Sequence, residues 1–576
     1  MSRPQLSFLH PRPQPLWQRT ALPAGPPDAV LIAHLGADRC LRWQILPYHV
    51  VGGGILIYAG PDSDIPCARA ALAPLGQVFV QMADGGAIRA RLTVALREAL
   101  RDKAEACPPP EMSVRSLPAA PVALTRLILP LLGTGLAMAL LMAPQVTFLT
   151  LLALMTCVLI GTTGFRMTAL LGSQLAPVDA GPQPEPVRWP VISVLVPLLE
   201  EDAMVGGLIA RLAALDYPPA HYELCLVVEE DDARTRAALS RITLPAHAQV
   251  IVVPRGRLRT KPRALNFALP FTRGTIIGIY DAEDRPARDQ LRQVARHFAH
   301  AHPKTVCLQG QLDYFNDRSN WLARCFTLEY CAWFRVILPG LARLGLPVPL
   351  GGTTLFLRRH AIEEMGGWDA HNVTEDADLG IRIARLGYHT AVIPTVTEEE
   401  ANARIWPWIK QRSRWFKGYA LTWAVHMRDP RRLWRDLGPK AFWGMQLTLL
   451  GALATFLGAP VFWAFALIGI AGFSPFLLPD WAFTTLATLF VLSWLTDLAT
   501  QILGVRRAGK DHLILWAPAT YAYFPLATIA AWRALAQALR DPFTWEKTPH
   551  GIYHAPDALT ADPPKPAPAA RPASGG

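Results

Sequence analysis

Five short runs between Val196 and Tyr419 hold most of the residue types that could do chemistry. In IIGIYDAEDRP an apolar stretch runs straight into Asp281, Glu283 and Asp284, three acids in four residues. Like charge this close to a core strand is unfavourable unless a cation balances it. Carboxylate oxygens suit Mg²⁺ or Mn²⁺, which keep positions open for phosphate oxygens, so Asp281 and Glu283 are the expected metal ligands. A helix start would also explain the cluster, because Pro286 fits a first turn. Upstream, VPLLEED carries Glu201, and LVVEEDDART carries Glu229, Glu230, Asp231 and Asp232; a solvated acidic loop has the same composition. Downstream, NVTEDADLG holds Thr374, Glu375 and Asp376, acids that also favour a helix opening. In QRSRWFKGY, Gln411, Arg414 and Trp415 stand at i, i+3 and i+4 and share one helix face. An amphipathic helix at a membrane surface would use the same residues.

The elements that must position these residues alternate in kind. Val191–Val196, Leu224–Val228, Val250–Val253 and Thr275–Tyr280 are short β-rich runs with helical stretches between them. That spacing predicts βαβ units and a parallel sheet covered on both faces. Ligands of such sheets sit at the carboxyl ends of the strands, where two of the acidic clusters fall.

Taken together and in order, these runs resemble the family 2 glycosyltransferases, in particular the membrane-integrated branch with bacterial cellulose, chitin and hyaluronan synthases. The resemblance spans residues 191–425 and implies a GT-A, Rossmann-like catalytic domain, a nucleotide-sugar donor and an inverting, metal-dependent transfer. Acids past the first two strands would hold the uracil and ribose of a UDP-sugar, which assigns Glu201, Glu229 and Glu230 to the donor. The glutamates at 229 and 230 depart from the family's usual aspartates. Lys261 and Asn266 of RTKPRALNFAL match its K-x-x-A-L-N element, with Lys261 toward phosphate. Asp281 and Glu283 match D-x-D with Glu in the last place. Glu375 and Asp376 match T-E-D, which makes Asp376 the base that deprotonates the acceptor hydroxyl. Gln411, Arg414 and Trp415 match Q-x-x-R-W. Gly351-Gly352-Thr353-Thr354 resembles the acceptor-side loop. Phe543–Gly551 resembles the gating segment after the last helix, with Trp545, Lys547 and Thr548 toward the nucleotide.

Outside this domain the chain turns apolar. Its hydrophobic share is 51% over 576 residues. Ala123–Met142 and Val146–Gly161 predict a transmembrane hairpin over 123–161. Its loop lacks charge while Arg126 and Arg166 flank it, so both ends are expected in the cytosol. Residues 426–440 read as an interfacial helix and 441–540 as further membrane helices, with Pro518 and Pro525 breaking the last run. The overall location expected is a bacterial inner membrane, multi-pass, with the catalytic domain cytosolic. A net charge of +11 gathers beside these segments rather than along an aromatic-interleaved stripe, which argues for membrane lipids and against nucleic acid. Eight scattered cysteines without a CxxC pair argue against zinc and against a disulfide scaffold.

Residues 28–106 read as a small α/β domain with strands at Ile45–Val51, Gly54–Tyr58 and Val78–Gln81 and a helix at Ala87–Arg101. It resembles the N-terminal domain of type II secretion ATPases, which implies regulation or docking through cyclic di-GMP or a partner protein. Pro108–Pro121 reads as a linker. Residues 1–27 and the Pro/Ala-rich tail within 541–576 are expected to be disordered.

Overall fold

The computed structural model describes residues 21–117, 122–175, 184–471 and 478–540. The chain divides into two units, one of residues up to 102 with 269–273, the other of 103–268 with everything from 274 on. The gating-like segment with Trp545 and Lys547, and the tail after it, lie outside the described residues, as does the Pro-rich start before residue 21.

In the first unit, helices α1 (Ala29–Leu35) and α2 (Ala37–Trp43) precede strands β1 (Ile45–Val51) and β2 (Gly54–Ala59), followed by α3 (Ile65–Leu72), β3 (Gln77–Met82) and α4 (Gly85–Ala106). The sheet order is β1-β2-β3, with β1 antiparallel and β3 parallel to β2. Gly52 and Gly53 both take positive φ in the β1–β2 turn, a backbone open to glycine and strained for most other residues.

The second unit opens with apolar helices α5 (Val122–Met142) and α6 (Pro144–Gly172). The second of these runs eleven residues past the sequence-based end at Gly161. Arg166 therefore lies within the helix and not at its flank, and its guanidinium pairs with Asp497 at 2.7 Å. The part with the larger sheet follows. Strand β4 (Ile192–Leu198) leads through α7 (Val205–Ala213) to β5 (Tyr222–Glu229). Then come α8 (Ala233–Ser240), β6 (Ala248–Val253), α9 (Lys261–Ala268) and β7 (Ile276–Ile279). After the short β8 (Arg285–Pro286) the chain forms α10 (Gln290–His300), β9 (Thr305–Tyr314), α11 (Trp321–Ala332) and α12 (Leu338–Arg343). Strand β10 (Leu355–Arg358), α13 (Arg359–Glu364), α14 (Glu375–Arg385), β11 (His389–Glu399) and α15 (Ile405–His426) complete it.

These strands make one eight-stranded sheet in the order β6-β5-β4-β7-β10-β9-β11-β8. It is mixed, not parallel throughout as expected. Strand β10 runs antiparallel between β7 and β9, and β8 antiparallel to β11. Gly352 and Thr354, just before LFLR, both take positive φ, and LFLR then pairs antiparallel with β7. The other six strands keep one direction, so β4, β5, β7, β9 and β11 all end on the same side. The core lies between β4, β5 and β7 and the apolar faces of α7 and α10.

The described residues after α15 form α16 (Pro430–Met445), α17 (Ala452–Ile470), α18 (Asp480–Arg507) and α19 (Thr520–Arg540). Among the described residues four helical stretches are long and apolar enough to cross a membrane: 144–172, 430–470, 480–507 and 511–540. The stretch read as a separate interfacial helix is continuous with the second of these, bent at Gly438. Pro525 sits inside α19 without breaking it.

Candidate active site

The common end of the strands is a cavity, and its walls come from every run singled out above. The turn after β4 brings Glu201, β5 ends in Glu229, and the start of α9 brings Lys261. The loop after β7 brings Asp281 and Glu283, the start of α14 Glu375 and Asp376, and α15 Gln411, Arg414 and Trp415. Among the described residues, two expected ones are absent from the lining. Glu230 turns outward and accepts from the backbone N–H of Arg255 at 3.2 Å. Asn266 is buried with its amide committed elsewhere: it donates to the carbonyls of Ala104 and Trp368 at 3.2 and 2.8 Å and accepts from Trp368 N–H at 2.8 Å. Every polar atom of that side chain is satisfied by backbone, so Asn266 acts as a clamp between loops and leaves nothing for a ligand.

Each lining side chain is held by its own element. Asp232 caps α8 by accepting from Thr235 N–H and also receives the N–H of Glu200 at 2.6 Å, which fixes the left-handed Glu200 turn ahead of Glu201. Glu229 meets Arg263 at 3.1 Å; burial still pushes its carboxyl up to about 7. Lys261 reaches across to Asp281 at 2.5 Å and to the carbonyl of Gly352 at 2.9 Å. Burial opposes its charge, yet the carboxylates of Asp281 and Glu375 hold it above the usual lysine range.

Asp284, beside the two expected metal ligands, is fully buried. It accepts from Asp281 N–H at 2.8 Å and from the Thr353 hydroxyl, and burial beside Asp281 and Glu283 raises its carboxyl well above the ordinary range. It shapes the turn that presents Asp281 and Glu283. At the first turn of α14, burial and Asp376 push Glu375 up to about 7. Asp376 is also raised by burial, against the pull of the Ala377 N–H and Lys261. Gly352 faces this carboxylate so closely that a Cβ there would come within 2.9 Å of Asp376 Oδ2.

On α15, Gln411 accepts from Asn402 at 2.8 Å, and Trp415 lies by Tyr330 with centroids 6.3 Å apart. The next positions face the other way. Arg412 forks onto Glu329 of α11 at 2.7 and 2.5 Å, and Tyr523 of α19 donates to Glu329 at 2.7 Å. Ser413 donates to the carbonyl of Ala530 at 2.9 Å. The helix that presents Arg414 and Trp415 is thus fastened to a membrane-type helix on its far side.

Sequence reading missed Arg259, Tyr314, Tyr330, Glu399 and Glu400, all of which line the cavity. Glu399 closes β11 with Glu400 just past it, Tyr314 closes β9 and Tyr330 lies in α11, positions that no motif marks in the sequence. With them the lining holds Glu201, Glu229, Asp281, Glu283, Glu375, Asp376, Glu399 and Glu400 against Arg259, Lys261 and Arg414. Among the described residues eight carboxyls face three cations. Their mutual repulsion appears in Glu399, which burial and then Asp284, Glu283 and Asp281 raise well above its normal range.

A family model described as glycosyl transferase family group 2 matches residues 276–496. The chain carries a family 2 glycosyltransferase domain. The matched span includes the acids after β7, the T-E-D turn and the Q-x-x-R-W helix. Beta-monoglucosyldiacylglycerol synthase of Synechocystis is 30% identical over 270 residues, covering 45% of this chain and 54% of that protein. Cellulose synthase 1 of Komagataeibacter xylinus is 27% identical over 300 residues, covering 50% of this chain and 18% of that protein. The chain spans about half the length of the first curated relatives it matches. Among solved structures, a mannosyltransferase from Pyrobaculum calidifontis in complex with GDP-Man and Mn²⁺ aligns over 63% of this chain and 99% of its own. Its identity is 22% and the TM-score 0.44.

Proposed function

We propose that this transferase moves a sugar, with inversion, from a UDP-sugar to a growing polysaccharide and needs Mg²⁺ or Mn²⁺. The observation that carries this reading is the eight-to-three excess of carboxyls over cations in one cavity. Among the described residues no three His, Cys, Asp or Glu side chains form a metal cage. A hard cation that keeps phosphate oxygens as ligands needs only one or two carboxylates, and Asp281 and Glu283 supply that number. When bound, the cation would neutralise charge on the diphosphate as it leaves. The protein's own groups do the rest. Glu201 and Glu229 accept from the nucleoside, while Lys261 and Arg414 face the diphosphate. Asp376, more basic than a free aspartate because it is buried, takes the proton of the attacking hydroxyl. Trp415, beside Tyr330, offers a flat apolar face to a sugar ring.

A second reading, transfer of a single sugar to a lipid-linked acceptor, is favoured by the similarity to glucosyldiacylglycerol synthases. Both acceptors suit a site whose Q-x-x-R-W helix is fastened to membrane-type helices. The reading puts the protein in the bacterial inner membrane, multi-pass, with its catalytic domain in the cytosol. It keeps the type II secretion ATPase-like N-terminal domain as a regulatory or docking module for cyclic di-GMP or a partner protein. The test is sugar incorporation by the purified full chain across several UDP-sugars, with and without EDTA, and with the product sized. A long product supports polymerisation, and a lipid-extractable product supports the second reading. No incorporation from any donor would leave a non-catalytic membrane scaffold.

A further inference from the structure

The stretch read as a linker is packed into the second unit. Ser113 and Val114 are fully buried. Ser113 donates to Asp369 Oδ1 and Val114 N–H to Asp369 Oδ2, both at 2.8 Å. Val114 packs in one cluster with Val373, Leu421 and Val425, so it touches both the residue before Thr374 and the helix that carries Arg414. The last turn of α4 is equally engaged. Glu105 Oε1 accepts from Arg257 N–H at 2.8 Å and from Arg263 Nε at 3.1 Å. The guanidinium of Arg263, 1% exposed, then meets Glu229 at 3.1 Å from its other side. The packing leaves no slack: a Cβ on Gly256 would collide with Glu105 and Arg263, and one on Gly367 with Asn266.

The charges along this line alternate, Glu105, Arg263, Glu229, and only the last lines the cavity. An arginine fork between two carboxylates has its orientation set by both. With Glu105 removed, the guanidinium keeps only Glu229 and the carbonyl of Pro254, and its orientation toward Glu229 is less firmly set.

We propose that the segment 104–117 belongs to the transferase's site machinery, and that Glu105 is a positioning residue for the donor-side carboxylate Glu229, acting through Arg263. This rests on the reading of the cavity as a nucleotide-sugar site. Glu105 touches no ligand itself. Its role is to hold Glu229 where a nucleoside can reach it, while Ser113 and Val114 hold the opposite wall.

The test is calorimetric titration of the full chain in lipid nanodiscs with UDP and with GDP, each with Mn²⁺. Glu105→Gln should weaken nucleotide binding about tenfold in protein that still folds, with some fall in the thermal unfolding midpoint because a buried pair loses its charge. Because Glu105 acts through Glu229, adding Glu105→Gln to Glu229→Gln should weaken binding no further. If Glu105→Gln does not yield folded protein, Glu105→Asp is read the same way, since it keeps the charge and shortens the reach by one methylene. Wild-type affinity in a folded Glu105 variant, or additive losses in the double variant, would overturn the inference alone. Failure of the wild-type chain to bind either nucleotide would overturn the donor-site reading and this inference with it.

Discussion

Asp376 and Asp378 stand two residues apart on α14, one in the cavity and one in the seam behind it, and their surroundings are opposite. Asp378 is fully buried but matched: Arg382 Nε lies at 2.7 Å and His426 Nε2 at 3.0 Å. Despite its burial, Arg382 and His426 hold its carboxyl below the ordinary aspartate range. The other ring nitrogen of His426 faces Arg385 at 3.1 Å, an arrangement that assigns the donor hydrogen to Nε2, and burial holds this histidine below its normal range. Asp376 and its neighbour Glu375 are raised instead. The seam is neutral by construction and binds α14 to α15. The cavity carries surplus negative charge that the protein leaves unbalanced. A matched buried carboxylate fixes structure, whereas an unmatched cluster is suited to a cation and a proton transfer.

Substitutions on the two sides should therefore fail in different ways. The largest effect is expected from Asp281→Ala or from EDTA. Either should abolish turnover, with Mg²⁺ or Mn²⁺ restoring only the EDTA-treated wild type, and sugar incorporation measures it. Full turnover in EDTA would remove the metal from the mechanism. Asp376→Asn comes next, with turnover lowered about 10²–10⁴-fold and UDP binding retained. A calorimetric titration beside the rate assay checks both halves, and near-normal turnover would assign the base elsewhere. In the seam, Asp378→Asn should do the reverse. Loss of one partner of a buried pair destabilises by about 3–5 kcal/mol, so the unfolding midpoint should drop markedly with nucleotide affinity little changed. A midpoint equal to wild type would mean that the seam contributes nothing.

The smallest effect is in the pH dependence. Glu229 and Glu375 have folded-state values of about 7, above the value of about 4.3 for an unfolded glutamate. A raised acid favours the folded state while protonated, so its contribution is full below the unfolded value and is lost as pH rises through about 7. Metal-free protein should therefore unfold at higher temperature at pH 5.5 than at pH 7.5, and Mn²⁺ should narrow the difference by neutralising the same carboxyls. Asp378, with its value lowered, matters only at pH below the ordinary aspartate range and lies outside this window; His426, lowered by burial, works against the trend within it and is outweighed by the two glutamates. An unfolding midpoint that rises between pH 5.5 and 7.5 without metal would contradict the surplus-charge account of the cavity.

What the sequence by itself determined was local. Apolar runs rich in Val and Ile became strands within a residue or two, at β1, β4, β5 and β7, because period and β-branching act over a few residues. Long apolar runs became helices of membrane-spanning length for the same reason. The cavity acids after β7 and on α14 could be named because they interrupt or cap such elements. The tertiary structure alone decided where side chains of similar type ended up. Asn266 and Lys261 share one helix, yet Lys261 faces the cavity while Asn266 is spent on the carbonyls of Ala104 and Trp368. Glu229 and Glu230 are adjacent, and the alternation of a strand end sends one inward and the other out. Tyr314, Glu399 and Glu400 enter the site only because β9 and β11 end on the same side of the sheet as β7, with the reversed β10 between β7 and β9. Most clearly, a stretch of prolines between 108 and 117 looks like a tether by composition. Its burial against Asp369 and Val373 depends on partners more than two hundred and fifty residues away in the chain, and no local pattern records a contact of that range.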